Sequence, residues 1–323
     1  MTHIELFSQL GEQLRNFGHD AESEVVIARS IEANPWFTRT DILRAMDAIC
    51  SEMLQREKLG AWLEHYPTTT EPKRVAVIMA GNIPLVGFFD LLCVVARGHA
   101  IYVKPSSKDR VLMEYVIAKL RMIDPTVAIY DYSNTEEYDM AIATGGDDAN
   151  RYFREHFHST RALLRGSRHS VAILDGKETE EELRGLITDV TAYSGLGCRS
   201  VSMFFIPRGM ELKLPYTEPV NPKMVGGIRS LAALLTLQHQ TFTHHGAFLA
   251  MHGDSFPTKL AMVTLREYDT LDEVREWLHT NNDHIQCIVS HADIEDAVPF
   301  GRAQYPTLWD YADGIDTMHW LTE

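Results

Sequence analysis

Arg74-Val75-Ala76-Val77-Ile78-Met79-Ala80-Gly81-Asn82-Ile83-Pro84-Leu85 is the stretch whose reading decides the fold. Its first half is an apolar, β-prone run that stops at Ala80-Gly81-Asn82, the pattern of a buried strand ending at a turn. Residues 84–96 are apolar on nearly every side and predict a buried helix. The same phrase then recurs. Residues 100–103 read as a second strand running into Lys104-Pro105-Ser106-Ser107-Lys108. Residues 107–122 read as a helix capped by Ser106 or Ser107. Residues 127–130 are a third strand, and residues 140–143 a fourth that ends at Thr144-Gly145-Gly146 before a helix over 147–157. Repeated strand–turn–helix units predict an α/β fold with a parallel, doubly wound sheet. Ligands of such sheets bind beyond the carboxyl ends of the strands, where the turns at Gly81-Asn82, Lys104–Ser107 and 144–148 lie.

Upstream, residues 1–65 read as helices, interrupted by Asn34-Pro35-Trp36-Phe37-Thr38, with Thr40-Asp41 capping the helix that follows. The first of them is amphipathic through Leu6, Phe7, Leu10 and Leu14, and it lacks the basic start of a signal peptide. No apolar run approaches the roughly 20 residues that span a bilayer. Residues 67–72 read as a linker. Downstream, residues 170–174 are a further strand and 178–193 a helix that runs into Ser194-Gly195-Leu196-Gly197-Cys198. A second α/β unit follows, with strands at 201–206, 261–265 and 285–290 and helices at 230–237 and 271–279.

The chain has 323 residues, enough for two domains of ordinary size. A net charge of −15 argues against nucleic acid and anionic membranes as partners. The cysteines are Cys50, Cys93, Cys198 and Cys287, with no CxxC pair. That argues against a disulfide framework and a zinc knuckle, and it fits a reducing, cytoplasmic location.

Cys198 follows Gly195-x-Gly197. Glycines let backbone approach a ligand and expose the next side chain, so a thiol there suits covalent catalysis. The competing reading, a buried small hydrophobe, is the one expected for Cys50, Cys93 and Cys287. Arg199 beside the thiol either favours the thiolate or makes a structural ion pair. Asn82 offers an amide that can donate to an oxyanion, although a turn residue is the commoner role for asparagine at such a place. The lysines of Lys104-Pro105-Ser106-Ser107-Lys108, at a helix N-terminus, suit a phosphate or a ribose hydroxyl as well as a solvated loop. Thr144-Gly145-Gly146-Asp147-Asp148 is a weak phosphate loop, because its aspartates repel pyrophosphate. His239, His244, His245 and His252 repeat no zinc spacing, so no metal site is expected, only a partly exposed polar cluster near a substrate channel.

Taken in order, Ala80–Leu85, Val103–Lys108, Ala143–Gly146 and Gly195-Leu196-Gly197-Cys198-Arg199-Ser200 resemble the aldehyde dehydrogenase superfamily. Within it, residues 34–38 and the tail at 310–318 resemble the acyl-CoA reductase branch, the LuxC-like fatty acid reductases. The resemblance covers nearly the whole chain. It implies an aldehyde-dehydrogenase-like fold: a Rossmann-like cofactor domain (residues 1–194, with the N-terminal helices), an α/β catalytic domain (195–290), and a segment (291–323) returning to the cofactor domain. It places Cys198 as the nucleophile and Asn82, with the Cys198 N–H, at the oxyanion. Lys104 takes the adenosine ribose, with Ser106, Ser107 and Lys108 beside it, and Gly145 and Gly146 lie near the pyrophosphate.

Two departures narrow the expectation. Where hydrolytic relatives carry a water-activating glutamate, this chain has Leu164-Arg165-Gly166-Ser167-Arg168-His169-Ser170, without a carboxylate. That disfavours hydrolysis and fits reduction of an acyl thioester, acyl-CoA or acyl-carrier protein, to an aldehyde. Where NAD-preferring relatives carry a glutamate after the ribose lysine, this chain has Ser107 and then Lys108. NADPH is therefore expected, with NADH as the alternative. The rivals are a reductase of another activated acid, such as an acyl phosphate, and a degenerate ligand-binding partner subunit. A thiol hydrolase would need a histidine base, and none is placed to serve Cys198. The family's β-hairpin flap has no clear match at 60–75, which leaves monomer and homodimer open.

Overall fold

Thr2, Asp20 and Thr38 each start a helix by accepting an N–H three residues on, from Glu5, Ser23 and Asp41. The helices are α1 (His3–Leu14), α2 (Ala21–Ala33) and α3 (Arg39–Ala48). Thr38, not Thr40-Asp41, is therefore the cap of α3. Its hydroxyl also donates to the Asp41 carboxylate at 2.7 Å, so Asp41 lies inside the first turn. A π-helical turn at Ile49–Met53 leads to α4 (Arg56–Leu63). The computed structural model describes residues 1–66 and 69–322, and of the expected linker Pro67 and Thr68 lie outside the described residues.

Then come β1 (Arg74–Ile78), α5 (Phe88–Ala96), β2 (Ala100–Lys104), α6 (Arg110–Ile123), β3 (Ile129–Asp131), β4 (Met140–Thr144), α7 (Asp147–His156) and β5 (Arg161–Arg165). The strands form a parallel sheet in the order β3-β2-β1-β4-β5. Val75 and Val77 of β1 face a core with Leu91 and Leu92 of α5 and Leu112 and Val116 of α6. Ala76 and Ile78 face Phe153 and Phe157 on the other side. Both faces are covered, which is why β1 reads as an unbroken apolar run. Residues 1–167 form one compact unit together with the chain from Tyr305 onward. That tail is locked in by Arg165, whose guanidinium pairs with the buried Asp90 and donates to Thr317 Oγ1 at 2.6 Å.

The second unit is Arg168–Gln304. Its elements are β6 (His169–Ile173), α8 (Glu180–Thr191), β7 (Val201–Pro207), α9 (Pro222–Leu237), β8 (Thr243–His244), β9 (Leu249–His252), β10 (Met262–Tyr268), α10 (Leu271–Thr280), β11 (Ile285–Val289) and β12 (Ala297–Val298). The sheet order is β12-β11-β6-β7-β10-β9-β8, parallel except for the β8–β9 pair. Val171, Ile173, Met203 and Phe205 pack towards Val274 of α10, while Ala172, Phe204 and Ile206 pack towards Leu186 and Val190 of α8.

The units divide at 167/168, where the sequence reading drew the line at 194/195. β6 pairs with β7 and β11, so it and α8 belong to the sheet of the thiol. Residues 291–304 stay in that unit too, and only the chain from Tyr305 joins the first. α9 begins at Pro222, not residue 230, because Asn221 caps it and a proline is tolerated in the first turn. Among the described residues no helix is long and apolar enough to cross a membrane.

Candidate active site

In the first unit, strand ends and helix starts converge at the carboxyl edge of the sheet. Gly81 follows β1 and packs against the loop after β2. A Cβ on Gly81 would lie 2.5 Å from both Cβ and Oγ of Ser106, so only glycine lets the two turns touch. Asn82 is half-buried in that turn. The helix expected from residue 84 begins at Phe88, because Leu85 adopts φ 57° and breaks the helical path. Leu85 N–H donates to Asp109 Oδ2 at 2.8 Å.

The loop after β2 also departs from expectation. Neither Ser106 nor Ser107 caps α6, which starts at Arg110 after an Asp109 whose side chain makes no cap bond. Ser106 Oγ accepts the Lys108 N–H at 3.3 Å instead, closing a turn that leaves Lys104, Ser107 and Lys108 exposed. Lys104 Nζ lies 5.5 Å from the centre of the Tyr132 ring, and Tyr132 OH meets His156 Nε2 at 2.8 Å.

Gly145 and Gly146 lead into α7. A Cβ on Gly145 would lie 2.7 Å from Ala149 Cβ, whereas nothing stands within 4 Å of one on Gly146. Asn150 holds the turn by donating to the carbonyls of Gly145 and Arg165 at 3.1 and 2.9 Å. The N-cap of α7 is Gly146, which has no side chain to accept from the first turn. An open glycine at a helix start after β4, with the exposed Lys104 at the end of β2 two strands away in the same sheet, is a setting in which the phosphates and ribose of a dinucleotide can be held.

Cys198 belongs to the second unit. The α8 helix stops at Thr191, and Tyr193, Ser194 and Gly195 follow with φ of 53°, 55° and 71°. For Tyr193 and Ser194 this left-handed backbone costs about 1 kcal/mol or more each and persists only where packing imposes it. Tyr193 and Ser194 are buried, which supplies that packing. The reversal puts Cys198 at a turn before β7, half-buried. The backbone N–H of Arg168 donates to Cys198 Sγ at 3.5 Å. The fully buried Ser170 hydroxyl donates to the Cys198 carbonyl at 2.8 Å. A donor aimed at sulfur binds a thiolate more strongly than a thiol.

The other thiols sit in quieter places. Burial pushes Cys50 up to about 12 and Cys93 well above the usual thiol value. Cys287 is buried and receives the Arg199 guanidinium at 3.4 Å, while Arg199 Nε donates to the Ala303 carbonyl at 2.5 Å. Those bonds make Arg199 a structural tie within its unit. His245 is buried and stacked on Phe248, while His244 and His252 are exposed on β8 and β9. Among the described residues the His/acid group close enough to share an ion is Asp175, Glu178 and His291, a different set. Its imidazole is engaged on both sides, by Asp175 at 2.9 Å and Glu182 at 2.7 Å.

The structure thus joins Gly81, Asn82, Ser106 and Asp109 in one pair of packed turns, sets Gly145 and Gly146 at a neighbouring strand end, and carries Cys198 in the other unit. Asp109, Leu85, Arg168 N–H and Ser170 were not anticipated. The one hint was Asp109 following two serines at a helix start, which reads as an ordinary cap. The stretch 164–170 spans the end of β5 and the start of β6 and contains no carboxylate.

Residues 19–214 match a family model described as acyl-CoA reductase (LuxC). A long-chain acyl-protein thioester reductase 2 of Photobacterium leiognathi is 23% identical, over 51% of this chain and 39% of the relative. The match therefore spans about two fifths of that curated relative's length. Among solved structures, an aldehyde dehydrogenase from Bacillus cereus superposes with a TM-score of 0.60 at 13% identity, covering 94% of this chain and 83% of that one. An engineered glycolyl-CoA reductase with bound NADP+ gives 0.59 at 11% identity, covering 90% and 78%. At such identities the likeness establishes the fold, which is that of the aldehyde dehydrogenases.

Proposed function

The chain belongs to the acyl-CoA reductase (LuxC) family, and from that premise we propose that it reduces an acyl thioester to an aldehyde through an acyl-enzyme on Cys198. The observation that carries this reading is the turn at Cys198, where left-handed backbone presents the thiol and the Arg168 N–H points at its sulfur.

The Cys198 thiolate attacks the carbonyl carbon of the thioester. A C–S bond forms, the carbonyl electrons move onto oxygen, and the amide of Asn82 donates to that oxyanion. One such donor is worth about 3 kcal/mol in comparable sites. The oxyanion collapses, the bond to the coenzyme A or carrier thiolate breaks, and Cys198 holds the acyl group. A bound nicotinamide dinucleotide supplies the hydride that reduces this acyl group. The resulting hemithioacetal oxyanion, again held by Asn82, expels the Cys198 thiolate and releases the aldehyde. The lack of a carboxylate in 164–170 to activate water disfavours hydrolysis of the acyl-enzyme.

For the cofactor, Lys104 holds the adenosine ribose and the Gly145-Gly146 turn with the open start of α7 receives the phosphates. Ser107 and Lys108 favour NADPH over NADH, because neither repels a 2′-phosphate and the lysine attracts one. Oxidation of NADPH, followed with acyl-CoAs of graded chain length and with an acyl phosphate, tests the function. Aldehyde from acyl-CoA that disappears with Cys198→Ala supports it. Aldehyde from acyl phosphate alone, or turnover retained without Cys198, overturns it. Failure of NADPH to quench tryptophan fluorescence or raise the melting temperature favours the reading as a degenerate partner subunit.

A further inference from the structure

Asp109 is a buried acid with an unusual placement. It is 2% exposed and stands at the start of α6 without capping it. Its Oδ2 accepts the Leu85 N–H at 2.8 Å, and its Oδ1 is buried without a hydrogen-bond partner among the described residues. Leu85 is held at φ 57°, a conformation that leucine adopts only where its surroundings impose it. At the other end of the same turn, a Cβ on Gly81 would come within 3.2 Å of Asp109 Cβ. Asn82 therefore lies between two points of the backbone that both abut Asp109.

We propose that Asp109 is a positioning residue that sets the Asn82 amide by fixing the 81–85 turn through the Leu85 N–H. The inference rests on the reading of Asn82 as the oxyanion donor. Oxyanion donors work by being fixed before the charge develops, and a donor on a turn is only as fixed as the turn. Asp109 also anchors that turn to the 104–108 loop, since Ser106 packs on Gly81 as well. Burial pushes the Asp109 carboxyl well above the usual carboxylate range, against the smaller opposing effect of the Leu85 N–H. Asparagine is a near-isostere of this acid, with an amide oxygen able to accept the same N–H.

Asp109→Ala and Asp109→Asn test this together with Asn82→Ala. The readouts are thiol release from acyl-CoA in a single turnover, alkylation of Cys198 by iodoacetamide, and hydrogen exchange of the peptide carrying Leu85. Asp109→Ala is expected to acylate between about tenfold and a hundredfold more slowly, to alkylate at the wild-type rate, and to exchange faster at Leu85. Asp109→Asn is expected to stay near the wild type in all three. The proposal is overturned if Asp109→Ala acylates normally, or if Asp109→Asn is as slow as the alanine variant. If Asn82→Ala slows acylation but Asp109→Ala does not, only the role of Asp109 falls. If Asn82→Ala has no effect, the oxyanion role falls and this inference with it.

Discussion

The backbone N–H of Arg168 donates to the sulfur of Cys198, 3.5 Å away, across thirty positions of sequence. The donor belongs to the chain just before β6, and the acceptor precedes β7, the strand hydrogen-bonded beside it. The sheet pairing thus supplies the thiol's partner. Cys198 should consequently be the thiol that reacts first. Iodoacetamide near neutral pH should label it ahead of Cys50 and Cys93, whose thiols burial holds in the protonated form. Peptide mapping after partial alkylation reads the order. Cys198→Ala should abolish both the fast label and the acyl-enzyme, and preferential labelling of another cysteine would count against the assignment.

Gly81→Ala should separate two turns that now touch. The new Cβ would sit 2.5 Å from the Ser106 Cβ, a contact that cannot be kept, so the β1 and β2 turns must part. Overpacking of this kind costs about 1–3 kcal/mol. The loop carrying Lys104, Ser107 and Lys108 moves with Ser106. A lower midpoint of denaturant unfolding accompanied by weaker NADPH binding is the expected result. Unchanged unfolding would show that the turns have slack.

How far this site was legible depends on the range of the forces involved. Val75–Met79 and Val201–Ile206 announce buried strands because both faces of each sheet are covered, and a continuous apolar run records that directly. The turn that carries Cys198 is foreshadowed by Gly195-x-Gly197. By contrast, β5 ends in Arg161 and Arg165, charges that hide an edge strand, and the Arg165 charge is satisfied by Asp90, seventy-five positions away. β6 reads as one more strand of the first sheet, since nothing local tells it which sheet its neighbours will form. Leu85 carries no mark of its left-handed backbone or of the acid in another loop that accepts its N–H. Local patterns reveal elements, while their long-range partners decide the site.

His291 should make stability depend on pH in a defined sense. Its bonds to Asp175 and Glu182 raise its pKa above the ordinary histidine value of 6.5, outweighing burial. A raised folded-state pKa means that this contribution is present in full below 6.5 and is lost as pH climbs through the folded value. On the acid side, burial pushes Asp175 up, but its bonds from His291 and Lys177 prevail and hold it at about 2, below 3.8. That contribution is present above 3.8 and fades as pH falls towards 2. The melting-temperature gap between wild type and His291→Gln should therefore be widest between the two limits and shrink on the alkaline side. The groups are partly exposed, so it should amount to about 1 kcal/mol or less. A gap that widens above neutral pH would contradict the pairing.

Ser107→Glu should shift the choice of cofactor towards NADH. Ser107 is exposed in the loop between Lys104 and Lys108, and Ser106, not Ser107, closes the turn, so a longer side chain at 107 disturbs no bond seen there. A carboxylate beside the ribose would repel a 2′-phosphate and could accept from a free 2′-hydroxyl. At a partly solvated site the combined effect should be about 1–3 kcal/mol, or roughly tenfold to a hundredfold in the ratio of kcat/KM for NADPH to that for NADH. Lys108→Ala should move the ratio the same way through lost attraction alone, with less gain for NADH. Steady-state rates with both cofactors at fixed acyl-CoA measure this. If the ratio stays put in both variants while NADPH still binds, the 2′-phosphate is read elsewhere and the loop after β2 does not set cofactor preference.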